Sequence, residues 1–458
     1  MGKSNKLFGE EKIGKLLLKF SIPIIMAYLV SELYNIVDTI FIGRTIGGSG
    51  IGALVVVFPI QRIIIALSVM IAIGASTALS RSNGEKDMAA GEKAIKNGFS
   101  LSILIMLTIT GLVLLFSEQI LRGFGASGEI LMYAKEYLNI IILGSTFLSL
   151  TIFIAKILIA FGNSRVSIVS TSIGAIVNII LDIILVVNLG MGVKGAAIAT
   201  AVSQFIGFVY AYYCYSKIKK ANNISNGFEI DFKFILPILM VGISAFVIEA
   251  EDGIVMAFLN NLLASAEGEM GIIVLGVISK VYMFLFVAMF GISSAMQPIA
   301  AYNMGAKDYE RTKAVMQETR KYSFITSVIL WALGIIFSPQ LMSIFVKDEV
   351  IIQESVKAFR IMISAFPLIS IYYVSIFYFQ AQGKAKKSIM ISLFRQLIIM
   401  IPLAIILVKS FNLGAMGVWL SYPISDILSG LLSYILIKKE GMRLSIKIKK
   451  QITKEKVA

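Results

Sequence analysis

The chain has 458 residues, of which 57% are apolar and only 15% charged, with a mean hydropathy of +0.86 and a net charge of +15. That is more apolar surface than a water-soluble core of this length can bury, so the composition reads as an integral membrane protein. A lone cysteine, Cys214, excludes an intrachain disulfide and a thiolate metal cluster, and the absence of histidine excludes imidazole-based hydrolase or zinc chemistry and leaves proton handling to carboxylates.

Crossing the hydrocarbon layer takes about 20 consecutive apolar residues per helix. In chain order, such stretches lie near 15–42, 51–80, 95–117, 133–160, 166–189 and 194–216, and then near 234–263, 271–301, 314–337, 356–381, 388–409 and 414–437. The reading is an all-α membrane protein of twelve transmembrane helices, six in each half. The first stretch follows a basic N-terminus, but it is too long for a signal-peptide core and has no small-residue cleavage site, so it is expected to remain as the first span.

The two halves repeat. Pro23 in Lys19-Phe20-Ser21-Ile22-Pro23 is followed fifteen residues on by Asp38, and Pro237 in Lys233-Phe234-Ile235-Leu236-Pro237 is followed at the same distance by Asp252, a shift of 214. At a shift of 221, Gly84-Glu85-Lys86-Asp87 answers Gly305-Ala306-Lys307-Asp308, and Gly162 with Ser167 answers Gly383 with Ser388. Six spans is an even number, so both halves enter the membrane from one side, and a pseudo-twofold axis along the membrane normal relates two six-helix lobes. Duplicated apolar bundles of this kind belong to transporters that rock about a site near the midplane. The expected domains are an N-lobe over 1–216, a cytoplasmic linker over 217–233, a C-lobe over 234–437 and a basic tail over 438–458.

Lys and Arg accumulate in cytoplasmic loops. Here they concentrate on the side that carries both termini, in the linker with Lys217, Lys219 and Lys220, in the loop with Lys384, Lys386 and Lys387, and in the tail with Lys438, Lys439, Arg443, Lys447 and Lys449. Both termini are therefore expected in the cytoplasm of a bacterial inner membrane. The basic tail faces an anionic lipid leaflet, and nucleic-acid binding is not needed to explain the charge.

Polar residues inside spans carry the chemistry, because an Asp at the centre of a spanning helix costs about 2.5–3.5 kcal/mol on insertion scales. Tyr34 and Asp38 share a face of span 1, Asn178 and Asp182 share a face of span 5, and span 6 adds Thr200 and Gln204. Gathered into one dry cluster, two carboxylates cannot both stay charged, so a proton can be held near neutral pH; the same oxygens of Asp38, Asn178, Asp182 and Thr200 suit Na⁺. In the second half, Glu249 and Asp252 share a face of span 7 and Glu251 points elsewhere, while Gln297 lies in span 8 and Arg395 and Gln396 in span 11. Glu249, Asp252 and Gln297 are candidates for a cationic-substrate wall or a second cation site, and Arg395 is expected to pair with Asp426 or another acid.

The run Leu33-Tyr34-Asn35-Ile36-Val37-Asp38-Thr39-Ile40-Phe41-Ile42-Gly43 resembles the first-helix signature of the MATE (multidrug and toxic compound extrusion) transporters, and Met296-Gln297-Pro298-Ile299, Tyr302-Asn303-Met304-Gly305-Ala306 and Phe379-Gln380-Ala381-Gln382-Gly383-Lys384-Ala385 resemble loop motifs of the same family. The similarity spans the whole chain and lies nearest the bacterial MepA/DinF-like branch. It implies a monomeric multidrug antiporter without cofactor or enzymatic activity, exporting cationic amphiphilic compounds in exchange for H⁺ or Na⁺. It also implies an N-lobe cation site at Asp38 and Asp182 with Tyr34, Asn178 and Thr200 beside them, and a helix-7 acid in the C-lobe. Two other readings stay open: a flippase for lipid-linked oligosaccharides, disfavoured by the excess of acids over bases among the intramembrane candidates, and an intramembrane aspartyl hydrolase, disfavoured by the lack of a Gly-x-Gly-Asp context.

Overall fold

The computed structural model describes residues 7–46, 48–124, 126, 128–225, 227–346 and 348–457. Among these residues, nine long helices run from α1 to α9: α1 Ile13–Thr45, α2 Gly48–Glu85, α3 Met88–Gly123, α4 Gly128–Ala160, α5 Arg165–Asp182, α6 Gly192–Ala221, α7 Phe232–Glu267, α8 Glu269–Gly305 and α9 Tyr309–Ile336. A short α10 at Ser338–Ser343 leads to α11 Glu349–Met362, α12 Phe366–Ala381, α13 Ala385–Leu393 and α14 Ala415–Val457. α5 runs on into π-helical turns over Ile183–Asn188, and α13 into π turns over Phe394–Met400 and Ile406–Ser410.

Among the described residues, ten helices are long and apolar enough to cross a membrane, and an eleventh span is the α11–α12 pair bent by 55°. Pro367 in the first turn of α12 has no N–H to continue the preceding helix, which accounts for the break. The twelfth expected span is α9, a 28-residue helix. Its first half carries Glu310, Arg311, Lys313, Glu318, Arg320 and Lys321, which lower its hydropathy.

The chain resolves into two compact units, one built on Met26–Glu249 and the other on Phe8–Ile25 together with Ala250–Ala458. In the first, α4 is the hub, packed against α2, α3 and α6. One of its apolar cores joins Ile42, Val57, Ile60, Met106, Leu138, Ile142 and Val193, and another joins Ile71, Leu79, Ile95, Phe153, Ile157 and Tyr215 to Ile235 and Ile238 of α7. The first half of α7 lies so close to α2 that a methyl group on Gly74 would fall 2.1 Å from the Ile238 carbonyl oxygen, and one on Gly242 would fall 2.0 Å from that of Met70. Residues before α7 are strapped to α3: the backbone N–H groups of Ser225, Glu229 and Asp231 donate to Glu92, Ser100 and Asn97 at 3.2, 3.0 and 2.6 Å.

In the second unit the hub is α12, packed against α8, α9 and α14. Tyr372 to Ala381 are buried without a break, as befits a helix enclosed on every side. Phe8 and the first half of α1 are anchored here: Asn303 and Arg311 donate to the Phe8 carbonyl at 3.2 and 2.8 Å, and a methyl group on Gly291 of α8 would fall 2.3 Å from Ile25 of α1. The basic tail continues α14 as helix, and Glu440 is buried there among Lys384, Lys387 and Arg443.

Candidate functional site

α1, α4, α5 and α6 converge on Asp38 in the first unit. Asp38 is 6% exposed, Asn178 1%, Asp182 0% and Thr200 2%. Asn178 and Asp182 sit one turn apart on the last stretch of α5, just before its π turns, where helices recurrently widen at functional positions. The Asp38 carboxyl lies beside Asp182, Tyr137, Thr200 and Asn178. The Tyr137 hydroxyl donates to Asp38 Oδ2 at 3.5 Å, and the Asn178 amide donates to Thr200 Oγ1 at 3.3 Å.

These donors do not suffice. Asp38 Oδ1, Asn178 Oδ1 and both carboxylate oxygens of Asp182 are buried and receive no hydrogen bond from the protein. Leaving a buried polar atom unsatisfied costs about 1–3 kcal/mol, and more when it is charged. Two carboxyl groups in contact form a hydrogen bond only if one is protonated, and the same oxygens can be drawn together by a cation lying between them. The cluster is thus chemically suited to take up one positive charge, as a proton or as Na⁺. The side chain of Tyr34 lies outside the described residues.

In the second unit the buried acid of α7 is Glu251, 2% exposed. Its Oε1 accepts from Ser392 at 2.8 Å, Gln396 at 3.1 Å and Tyr372 at 3.5 Å. Glu249 instead belongs to the first unit, half-buried and near enough to Lys156 of α4 to interact with its charge, and the side chain of Asp252 lies outside the described residues. Gln297 donates to Gln380 at 3.3 Å, linking α8 to α12. Arg395 forms the expected pair with Asp426, Nε to Oδ1 at 2.8 Å, with both side chains buried.

Sequence reasoning missed Tyr137, which stands in the mixed stretch Lys135-Glu136-Tyr137-Leu138-Asn139 at the start of a span, and Tyr372, which lies among apolar and aromatic residues with nothing to distinguish it, and it set Glu251 aside. A signal for Glu251 exists in the close packing. Ile25 and Ile238, the residues pressed on Gly291 and Gly74, each precede an acid by thirteen positions, Asp38 and Glu251 respectively. Counting from the prolines lands one residue later, on Asp252.

A buried carboxylate cluster of this design sits in a chain whose residues 23–184 and 254–406 match the MatE family signature. The chain belongs to the MatE family. Similar curated relatives of this MatE chain include the multidrug export protein MepA of Staphylococcus haemolyticus, 25% identical over 444 residues and 96% of each chain, and MepA of Staphylococcus aureus with the same identity and coverage. Solved structures similar to it include a MATE protein in complex with MaL6, at TM-score 0.91 and 26% identity over 98% of this chain and 99% of that one. The outward-facing conformation of a multidrug resistance MATE family transporter superposes at TM-score 0.90 with 25% identity, covering 97% of this chain and 99% of that one. The twelve-helix, two-lobe architecture of the MATE structures is that of this multi-pass membrane protein.

Proposed function

We propose that this MatE protein is a multidrug efflux antiporter that exports organic, cationic and amphiphilic compounds in exchange for H⁺ or Na⁺ by alternating access, acting as a monomer in the bacterial inner membrane with both termini in the cytoplasm. The repeated lobes are 1–216 and 234–437, joined by the linker at 217–233 and followed by the tail at 438–458. The observation that carries the reading is the set of four buried, donorless oxygens on Asp38, Asn178 and Asp182. Such a cluster is stable when loaded with a cation and strained when empty, which is the property a coupling site needs. Thr200 orients Asn178, Tyr137 supplies one donor to Asp38, and Tyr34 is proposed as a further neighbour by its place on α1.

Substrate charge is assigned to Glu251, whose Oε1 is held in place by the neutral donors Ser392, Gln396 and Tyr372. Glu249 is left with Lys156, and Asp252 and Gln297 are retained as neighbours on α7 and α8. The test is ethidium export from proteoliposomes driven by a pH or a Na⁺ gradient, normalised to correctly folded protein. Asp38→Asn keeps the shape of the side chain but cannot take up charge, and is expected to abolish gradient-driven export while folding is preserved. Full normalised activity in that variant would overturn the assignment.

A further inference from the structure

The second unit contains a second buried acid that already holds a cation of its own. Arg395 donates through Nε to Asp426 at 2.8 Å and through Nη2 to the Tyr282 hydroxyl at 3.3 Å, and its guanidinium lies 5.3 Å from the centre of the Tyr372 ring. Tyr282 is itself set edge-on to Phe366 and Tyr422, at 6.0 and 6.2 Å, and Tyr372 edge-on to Tyr373 at 4.8 Å. A carboxylate beside aromatic faces is the usual recognition chemistry for an organic cation, since the ring quadrupole and the acid act on the same charge. The Tyr372 hydroxyl that closes this seat points to Glu251 Oε1, so the seat and the Glu251 site share one side chain.

We propose that Asp426, Tyr282 and Tyr372 form an organic-cation seat permanently occupied by the tethered guanidinium of Arg395, and that this built-in occupant restricts substrates at the neighbouring Glu251 to a single positive charge. Arg395 is then a specificity-determining residue. Its charge cancels that of Asp426 and leaves Glu251 to select a monovalent cation. Without it, the seat opens beside Glu251 and two acids face one volume. The Arg395–Asp426 pair also matters for stability, because a buried charge left without its partner is strongly unfavourable. Stability alone, however, gives no reason for a change in charge preference among substrates. The inference rests on the proposed role of Glu251 in carrying substrate charge.

The experiment compares tetraphenylphosphonium, with one charge, and dequalinium, with two, in binding and export by four proteins: the unmodified chain, Arg395→Ala, Asp426→Asn and the double variant. Arg395→Ala is expected to raise dication affinity relative to the monocation by roughly tenfold or more, the effect of one extra charge in a partly desolvated site. Asp426→Asn adds a net positive charge and is expected to depress both cations while sparing neutral substrates. The double variant is expected to return to the unmodified ratio. If Arg395→Ala is too unstable to transport, its melting temperature in detergent is followed against added ethylguanidinium. Stabilisation that disappears in the double variant supports the seat.

An unchanged mono-to-dication ratio in Arg395→Ala, or the absence of ethylguanidinium stabilisation, overturns it. A separate arm, Glu251→Gln, is expected to lower affinity for both cations. If Glu251→Gln changes nothing while Arg395→Ala shifts the ratio, the seat stands and the assignment of substrate charge to Glu251 falls.

Discussion

In the proposed function, Asp38 and Asp182 act as one unit because their oxygens lie in one cluster rather than each having its own set of donors. Asp38 has Tyr137 and Asp182 has no donor from the protein, so any cation that satisfies one must also serve the other. Coupling of this kind makes their titration or ion loading a property of the pair. Asp38→Asn and Asp182→Asn should each abolish gradient-driven export, and the double variant should be no worse than either one. Additive losses across the double-mutant cycle, measured per folded molecule, would mean two independent sites. The glutamates of α7 differ in the same local way. Only two residues apart, within one turn of helix, Glu249 is set near Lys156 and Glu251 near Ser392 and Gln396, and only the neighbours of each carboxylate separate their proposed roles.

The long helices α1 and α7 are each divided between the two units, α1 after Ile25 and α7 after Glu249. Each carries a proline in its opening half, Pro23 or Pro237, which removes a ladder hydrogen bond there. The first half of α7 is held to α2 by backbone-to-backbone approach at Gly74 and Gly242, where no side chain fits. Gly242→Ala is expected to force α7 away from α2 and to destabilise the protein by about 1–3 kcal/mol, the usual range for overpacking. Gly276→Ala on α8, where a methyl group meets open space, is the control. It is expected to leave stability unchanged or to raise it by up to about 1 kcal/mol through helix propensity. Thermal unfolding in detergent distinguishes the two, and equal melting temperatures for both variants would show that the close approach at Gly242 carries no weight.

For the whole molecule, the proposed orientation rests on the charge distribution. The loop before α13 and the tail are tied together by Lys384, Lys387 and Glu440, so the tail helix and this loop lie on one side of the membrane. In a background with Cys214 replaced by Ser, Lys386→Cys should be shielded from an impermeant thiol reagent added to intact cells, and Gly268→Cys between α7 and α8 should react. Reversed labelling would invert the topology and move substrate entry to the other face.

Composition, span length and the repeats at 214 and 221 were sufficient for an all-helical, duplicated membrane transporter, because hydrophobic length and internal duplication are properties of the chain taken in order. Helical spacing also paired Asn178 with Asp182, since residues four apart share a face whatever surrounds them. The sequence reading already gathered Asp38 and Asp182 into one expected cluster; the tertiary structure supplied their contact and recruited Tyr137. Only packing decided that Glu251, rather than Glu249, is the acid that α7 buries in the second unit, because a helix read alone has no inside until its neighbours are known. The same holds for Arg395: its charge is visible in the sequence, but its confinement by Asp426, Tyr282 and Tyr372 depends on three other helices meeting around it.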